Sequence, residues 1–247
     1  MAKIIDLGPN TRRGFLSNMY TTFSTVYACY LNGEEFYIDW SDAIDYRAIE
    51  CVNPFDFCFK QPYFDVKPKD CEISVEYGLP YGSDVNDADR EKWNEVLTKF
   101  LILKDDIKGE IDKYYNDNFA GKKILCVHKR GSDHGYHEPI KPNSEYFKVI
   151  DYEMALHEYD KIFLATDEVM SAIEFKHRYG DKLLCLDIIR TDNATPIFHQ
   201  GINKFQHTKE LLMDVYLLSM GNKMIKSNSS LSIMACYINK DIEYINM

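Results

Sequence analysis

An α/β fold of alternating strands and helices, with a doubly wound parallel sheet in its C-terminal half, is what this sequence predicts, and three observations predict it. Near-continuous apolar runs recur at residues 123–128 and 161–167, as in strands covered on both faces. Each run is followed by a segment whose apolar residues repeat at helical spacing. Helical segments of this half stop at glycines, Gly180 and Gly221, the residue that closes a helix at least conformational cost.

The elements follow in order. Residues 3–7 form a short apolar strand, and a turn-rich stretch, 8–14, leads into a helix over 15–31 that ends at Asn32-Gly33. Residues 35–40 read as a second strand, which completes a strand, glycine loop, helix, strand unit. Residues 53–83 are rich in Pro, Asp and aromatics and match no regular pattern. Residues 88–115 read as mostly helical, and 118–121 as a linker that divides the chain into 1–120 and 121–247. The second part runs strand 123–128, helix 143–159, strand 161–167, helix 168–179, strand 182–188, helix 209–220, strand 223–227, then a polar turn and a helix from Leu231. Successive β-α-β units of this kind bring ligands to the carboxyl ends of the strands.

Bulk properties bound the function. A chain of 247 residues buries a substantial core, and its 45% hydrophobic and 28% charged residues describe an ordinary globular protein. The net charge of −10 argues against a protein that tracks a nucleic-acid backbone, while leaving room for a few placed cations around a small anionic ligand. The 18 tyrosines offer flat faces and hydroxyls that suit carbohydrate or base contacts, although packing at core edges explains most of them. Seven scattered cysteines with no Cys-x-x-Cys pair point to a reducing compartment and to no zinc site. With no secretory signal pattern and no apolar stretch near the roughly 20 residues that span a bilayer, the expectation is a cytoplasmic protein of bacterial or viral type.

Chemistry-bearing residues gather after the strands of the second half. His128, Arg130 and Asp133 follow the first, Asp167 and Glu168 the next, and Ser227, Asn228, Ser229 and Ser230 the fourth, where they open a helix. A parallel sheet sets all of these on one rim. A serine-rich turn at a helix N-terminus presents N–H groups to an anion, and the guanidinium of Arg130 matches a phosphate with a planar fork of donors. Taken singly, His128 reads as a strand-end residue, Ser229 as a helix cap and Asp167 as another; their coincidence on one rim predicts a diphosphate site.

In these same residues the sequence resembles the fucosyltransferases that include the α1,6-fucosyltransferases, the nodulation fucosyltransferases and, more distantly, the protein O-fucosyltransferases. The family pattern His-x-Arg-Arg-Thr-Asp appears as His128-Lys129-Arg130-Gly131-Ser132-Asp133, and Leu-Ala-Thr-Asp-Asp as Leu164-Ala165-Thr166-Asp167-Glu168. A helix aspartate ahead of a serine-rich turn is matched by Asp214 and then Ser227 to Ser230. The resemblance extends from Ile124 to Tyr237; in the first half only Gly14-Phe15-Leu16-Ser17-Asn18 is similar to the family's glycine loop.

The resemblance implies a GT-B-like arrangement of two Rossmann-like halves, with 1–120 on the acceptor side and 121–247 binding a nucleotide sugar. It implies an inverting transfer of L-fucose from GDP-fucose to a glycan hydroxyl, with no metal or other cofactor and the GDP-sugar as co-substrate. Arg130 would bind the β-phosphate, His128 and Asp214 the guanine, Ser227, Ser229 and Ser230 phosphate, and Gly14, Asn18 and Asp167 the rest of the donor. Glu138, ten positions after His128, would be the base. At Gly131 the chain departs from the pattern, and a positive charge is missing there. GDP-mannose or UDP-xylose as donor, or a non-catalytic sugar-binding module, are the alternative readings. Asp87-Ala88-Asp89 formally offers the Asp-x-Asp of a metal-dependent transferase but reads as a helix start, and His134-Gly135-Tyr136-His137-Glu138 lacks the spacing of a metal-binding helix.

Overall fold

A computed structural model describes residues 2–7, 14–42, 53–74, 77–80, 84–131, 139–192, 197 and 202–247. Its first part opens with β1 (Ala2–Asp6), α1 (Phe15–Leu31) and β2 (Phe36–Asp39). Three observed elements share the stretch that gave no pattern or the run beyond it: a 3-10 turn (Pro54–Phe57), a short β3 (Cys71–Ile73) and a second 3-10 turn (Asp87–Asp89). α2 (Arg90–Phe100) and α3 (Asp105–Asn118) follow. The second part is β4 (Ile124–Lys129), α4 (Asn143–Leu156), β5 (Lys161–Thr166), α5 (Val169–Tyr179), β6 (Leu183–Cys185), α6 (Lys204–Ser219), β7 (Lys223–Lys226), α7 (Ser230–Ile238) and β8 (Glu243–Asn246).

All strand pairs are parallel. The first sheet has the order β2-β1-β3, the second β6-β5-β4-β7-β8. In the second sheet the chain moves outward from β4 through β5 to β6, then returns to the other side of β4 for β7 and β8. The reversal lies between β4 and β7. In open sheets of this type the crevice at the carboxyl ends of the two strands flanking such a reversal is where ligands bind.

Period-two alternation gives each central strand two apolar faces. Cys126, Phe163, Ala165 and Met224 pack with Leu217 and Leu218 of α6 and with Ala235 and Cys236 of α7. Leu125, Val127, Ile162, Leu164 and Ile225 pack on the other side with Tyr146 and Ile150 of α4 and with Phe175 of α5. Helices α6 and α7 also turn Leu212, Val215, Ile233, Met234 and Tyr237 into the core under the first sheet, where α1 and α2 lie. There Trp93 stacks on Tyr237 with ring centroids 5.1 Å apart, and Trp40 meets Phe15 edge-on at 5.3 Å. Both helices are thus covered on two sides, which is why their apolar residues do not keep to one stripe.

Several expectations shift. The helical stretch 88–115 is two helices, because Leu103 leaves helical geometry to bridge Phe59, with Lys60 N donating to Ile102 O at 2.8 Å and Lys104 N to Cys58 O at 2.9 Å. Asp105 and Asp106 then restart the helix with acidic side chains at its positive end. Asp87-Ala88-Asp89 does form a helix start, but the capping oxygen is that of Asn86, which accepts from Ala88 N at 3.2 Å. α6 begins five residues earlier than its apolar pattern, since Asn203 caps it by accepting from Gln206 N at 3.1 Å. Gly180 has φ +52°, a conformation only glycine adopts freely, and it ends α5 as expected. Gly221 is required for a different reason: a Cβ there would collide with Cys126 Sγ in the adjoining strand.

Candidate functional site

The reversal between β4 and β7 is occupied by polar residues that the strand register sets side by side. His128 is opposite Lys226, and Lys129 is opposite Thr166 of β5. Ser227 N donates to His128 O at 3.0 Å, which continues the ladder past the last strand residue. The Ser227 hydroxyl accepts from Arg130 N at 2.8 Å and lies 3.4 Å from His128 Nδ1. The serine that follows β7 therefore fixes the turn that leaves β4.

That turn points Arg130 at β5. Its Nη1 contacts Asp167 Oδ2 at 2.7 Å, and Asp167 Oδ1 accepts from Gly131 N at 2.9 Å. Asp167 thus holds both the guanidinium and the next peptide, one with each carboxylate oxygen. The Arg130 side chain is 27% exposed.

His128 is buried, and burial holds its imidazole well below the ordinary range, down to about 3, with Arg130 and Lys226 adding to the effect and Asp167 opposing it. It is a neutral ring at physiological pH, able to donate from one nitrogen and accept at the other. Asp214, on α6, is also buried, and its Oδ1 has no hydrogen-bond partner among the described residues. Burial pushes its carboxyl up to about 8; Arg190 opposes this, and Glu210 and Asp167 add to it. A buried carboxyl oxygen without a partner is costly, and it can accept from an N–H group that a ligand brings.

The serine turn combines two functions. Ser229 caps α7, accepting from Leu231 N at 3.3 Å, and Ser230 is that helix's first residue. Ser232 Oγ donates to Ser227 O at 2.7 Å and braces the turn from within. Both Ser229 and Ser230 remain partly exposed, at the positive end of α7.

Of the residues expected at the site, His128, Arg130, Asp167 and Ser227 form one bonded group. Asp214 joins them electrostatically through Asp167, and Ser229 and Ser230 follow Ser227 directly. Gly14 and Asn18 stand at the start of α1, which packs against α7; Gly14 is the residue preceding the helix and Asn18 is fully buried. Glu138 and Asp133 lie outside the described residues.

Four residues escaped the sequence reading. Lys226 is fully buried and donates to Asp84 Oδ1 at 2.8 Å and Asn228 Oδ1 at 3.1 Å. Arg190 is tethered to main-chain oxygens at the ends of β5 and β6, donating to Thr166 O at 3.2 Å and Leu186 O at 2.6 Å. His207, on one helical face with Asp214, is buried, and its Nδ1 has no hydrogen-bond partner among the described residues. Lys129 is buried and paired with Glu168. A basic residue at the last position of an apolar strand was the available signal for Lys129 and Lys226. Nothing local marks Arg190 or His207.

Among the described residues no group of three His, Cys, Asp or Glu side chains is placed to hold a metal ion, and no helix is long and apolar enough to cross a membrane. A depression of about 720 Å³ lies elsewhere, along the outer edge of β8 between Arg90 and Lys240. Lys223, Arg90 and Lys240 line it together with Asp87, Glu91, Asp241 and Glu243.

No family model and no curated protein matches the sequence. Solved structures do match the fold. The NodZ α-1,6-fucosyltransferase soaked with GDP-fucose aligns over 96% of this chain and 91% of its own, with a TM-score of 0.60 at 16% identity; the same enzyme has been solved from Bradyrhizobium. The FUT1 protein of Arabidopsis thaliana in complex with GDP aligns over 99% of this chain and 70% of its own, with a TM-score of 0.62 at 11% identity. POFUT1 in complex with GDP aligns over 99% and 98%, with a TM-score of 0.58 at 9% identity. The chain has a fucosyltransferase-like fold, as its short motifs implied.

Proposed function

We propose that this chain is an inverting glycosyltransferase that moves L-fucose from GDP-fucose to a glycan hydroxyl. The observation that carries the reading is the bonded group His128, Arg130, Asp167 and Ser227 at the sheet reversal. Support comes from the fold, shared with structures described as fucosyltransferases holding GDP or GDP-fucose.

Each role follows from chemistry. Departure of GDP leaves negative charge on the β-phosphate, and a pre-oriented guanidinium stabilises it without further rearrangement. Arg130, aimed by Asp167, takes this role. Guanine presents two adjacent N–H donors, and the open Oδ1 of Asp214 accepts from them; the neutral ring of His128 borders the base. Ser227, Ser229 and Ser230 surround the phosphates at the positive end of α7. Glu138 serves as the base that deprotonates the acceptor hydroxyl. The reaction uses no metal, since Arg130 supplies the positive charge.

Incubation with GDP-fucose and a panel of acceptor glycans, without added metal, tests the reading directly. Transfer with inverted configuration is expected. Absence of transfer, together with absence of GDP binding, would overturn it, and abolition by a chelator would overturn the metal-free mechanism. Glu138→Gln is expected to retain GDP binding and lose turnover.

A further inference from the structure

Gly131 is where this chain leaves its family's pattern, and the structure shows what occupies the place of the missing side chain. A Cβ built on Gly131 would collide with Cγ, Cδ and Oε1 of Glu168. Glu168 is itself held firmly. Its N–H donates to Thr166 Oγ1 at 3.3 Å, its carbonyl accepts from Ala172 N at 3.2 Å, and it bridges Thr191. Its carboxylate accepts from Ser171 Oγ at 2.6 Å and is paired with Lys129 Nζ. Burial pushes this carboxyl up, but the bonds from Lys129 and Ser171 outweigh it and leave the group below its ordinary value.

Lys129 is 3% exposed and the Glu168 side chain 27%, so removing Glu168 would leave a buried ammonium without its charged partner. Lys129 and Gly131 flank Arg130. One is clamped by Glu168 and the other is covered by it, while Arg130 itself is fixed through Ser227 and Asp167.

We propose that Lys129 and Glu168 are a positioning pair for the donor site. They fix the corner that presents Arg130 to the β-phosphate, and Gly131 leaves open the space that the Glu168 side chain fills. The proposal rests on the reading of Arg130 as the diphosphate contact.

Calorimetric titration of the intact chain with GDP and with GMP separates this role from a merely structural one, since GMP lacks the β-phosphate. Gly131→Ala, Glu168→Ala and Lys129→Gln are each expected to weaken GDP about tenfold, the size of one charge-assisted contact, and GMP by less than about threefold. Lys129→Arg should restore GDP affinity to within about threefold of wild type. Adding Gly131→Ala to Glu168→Ala should cost little more, because the collision is gone; this cycle decides the matter even where a Lys129 variant fails to fold. Equal losses of GDP and GMP, an unchanged GDP to GMP ratio in Glu168→Ala, or multiplicative effects in the double variant would each overturn the proposal. A wild-type chain that binds neither nucleotide would instead overturn the reading of the site beneath it.

Discussion

Asp214 is the residue whose environment most constrains function. Its carboxyl, raised to about 8, is protonated in the free protein at neutral pH, whereas a guanine-binding carboxylate has lost that proton. Nucleotide binding should therefore release a proton. GDP affinity is expected to rise with pH, up to tenfold per unit between about pH 6 and 8, and then level off. Titrations at several pH values check this; a flat profile would refute it, and Asp214→Asn should abolish both the slope and most of the affinity. The same shift has a stability sign. A carboxyl raised above its unfolded value leaves the fold fully stable only below that value, and the cost grows as pH rises from about 4 to 8. Asp214→Asn should accordingly melt higher than wild type at pH 8, by a margin on the order of 1 to 3 kcal/mol, and differ little at pH 4. On the proposed reading, Arg130→Ala should weaken GDP by about ten- to a hundredfold, beyond any destabilisation from the loss of its ion pair with Asp167.

At the scale of elements, α7 and the turn before it decide between two jobs for Ser229. The side chain already caps the helix, accepting from Leu231 N. Ser229→Ala should cost about 1 kcal/mol in denaturant unfolding, as a lost cap does. A loss of GDP affinity beyond that of destabilisation alone would show that the hydroxyl also meets phosphate. The turn between α6 and β7 is equally specific. Gly221→Val drives a side chain into Cys126 Sγ and should destabilise by about 1 to 3 kcal/mol. Element by element, most of the second half was legible in advance, because buried parallel strands, helical spacing and stop glycines are local signals. β3 and β8 were not, being short and carrying only a few apolar residues each. The break between α2 and α3 was also hidden, since it depends on Leu103 finding Phe59, far away in sequence.

The molecule as a whole is tied together by α6 and α7, which serve the second sheet on one side and the core of the first on the other. Trp93 sits at that junction against Tyr237, and Trp40 lies deeper in the first core. Tryptophan fluorescence and far-UV circular dichroism should therefore report coincident unfolding transitions; separated transitions would show that the two sheets unfold independently. Trp93→Ala should lower stability by about 3 to 5 kcal/mol and shift both signals together.

Most strands and helices of the second half, and the rim on which His128, Arg130, Asp167 and the serines fall, were set by the sequence by itself, since these follow from spacing along the chain; Asp214 stood out only through the resemblance to the fucosyltransferases. Tertiary structure alone decided the rest. Strand order places the reversal between β4 and β7, and only then do His128 and Ser227, 99 positions apart, share a hydrogen bond. Burial of Asp214 beneath its rim, the grip of Asp167 on Arg130, and Glu168 lying over Gly131 against Lys129 have the same origin. Local pattern specifies where a residue stands in its own element; a pKa, an ion pair or a forbidden Cβ depends on what a different element brings to within a few ångströms of it.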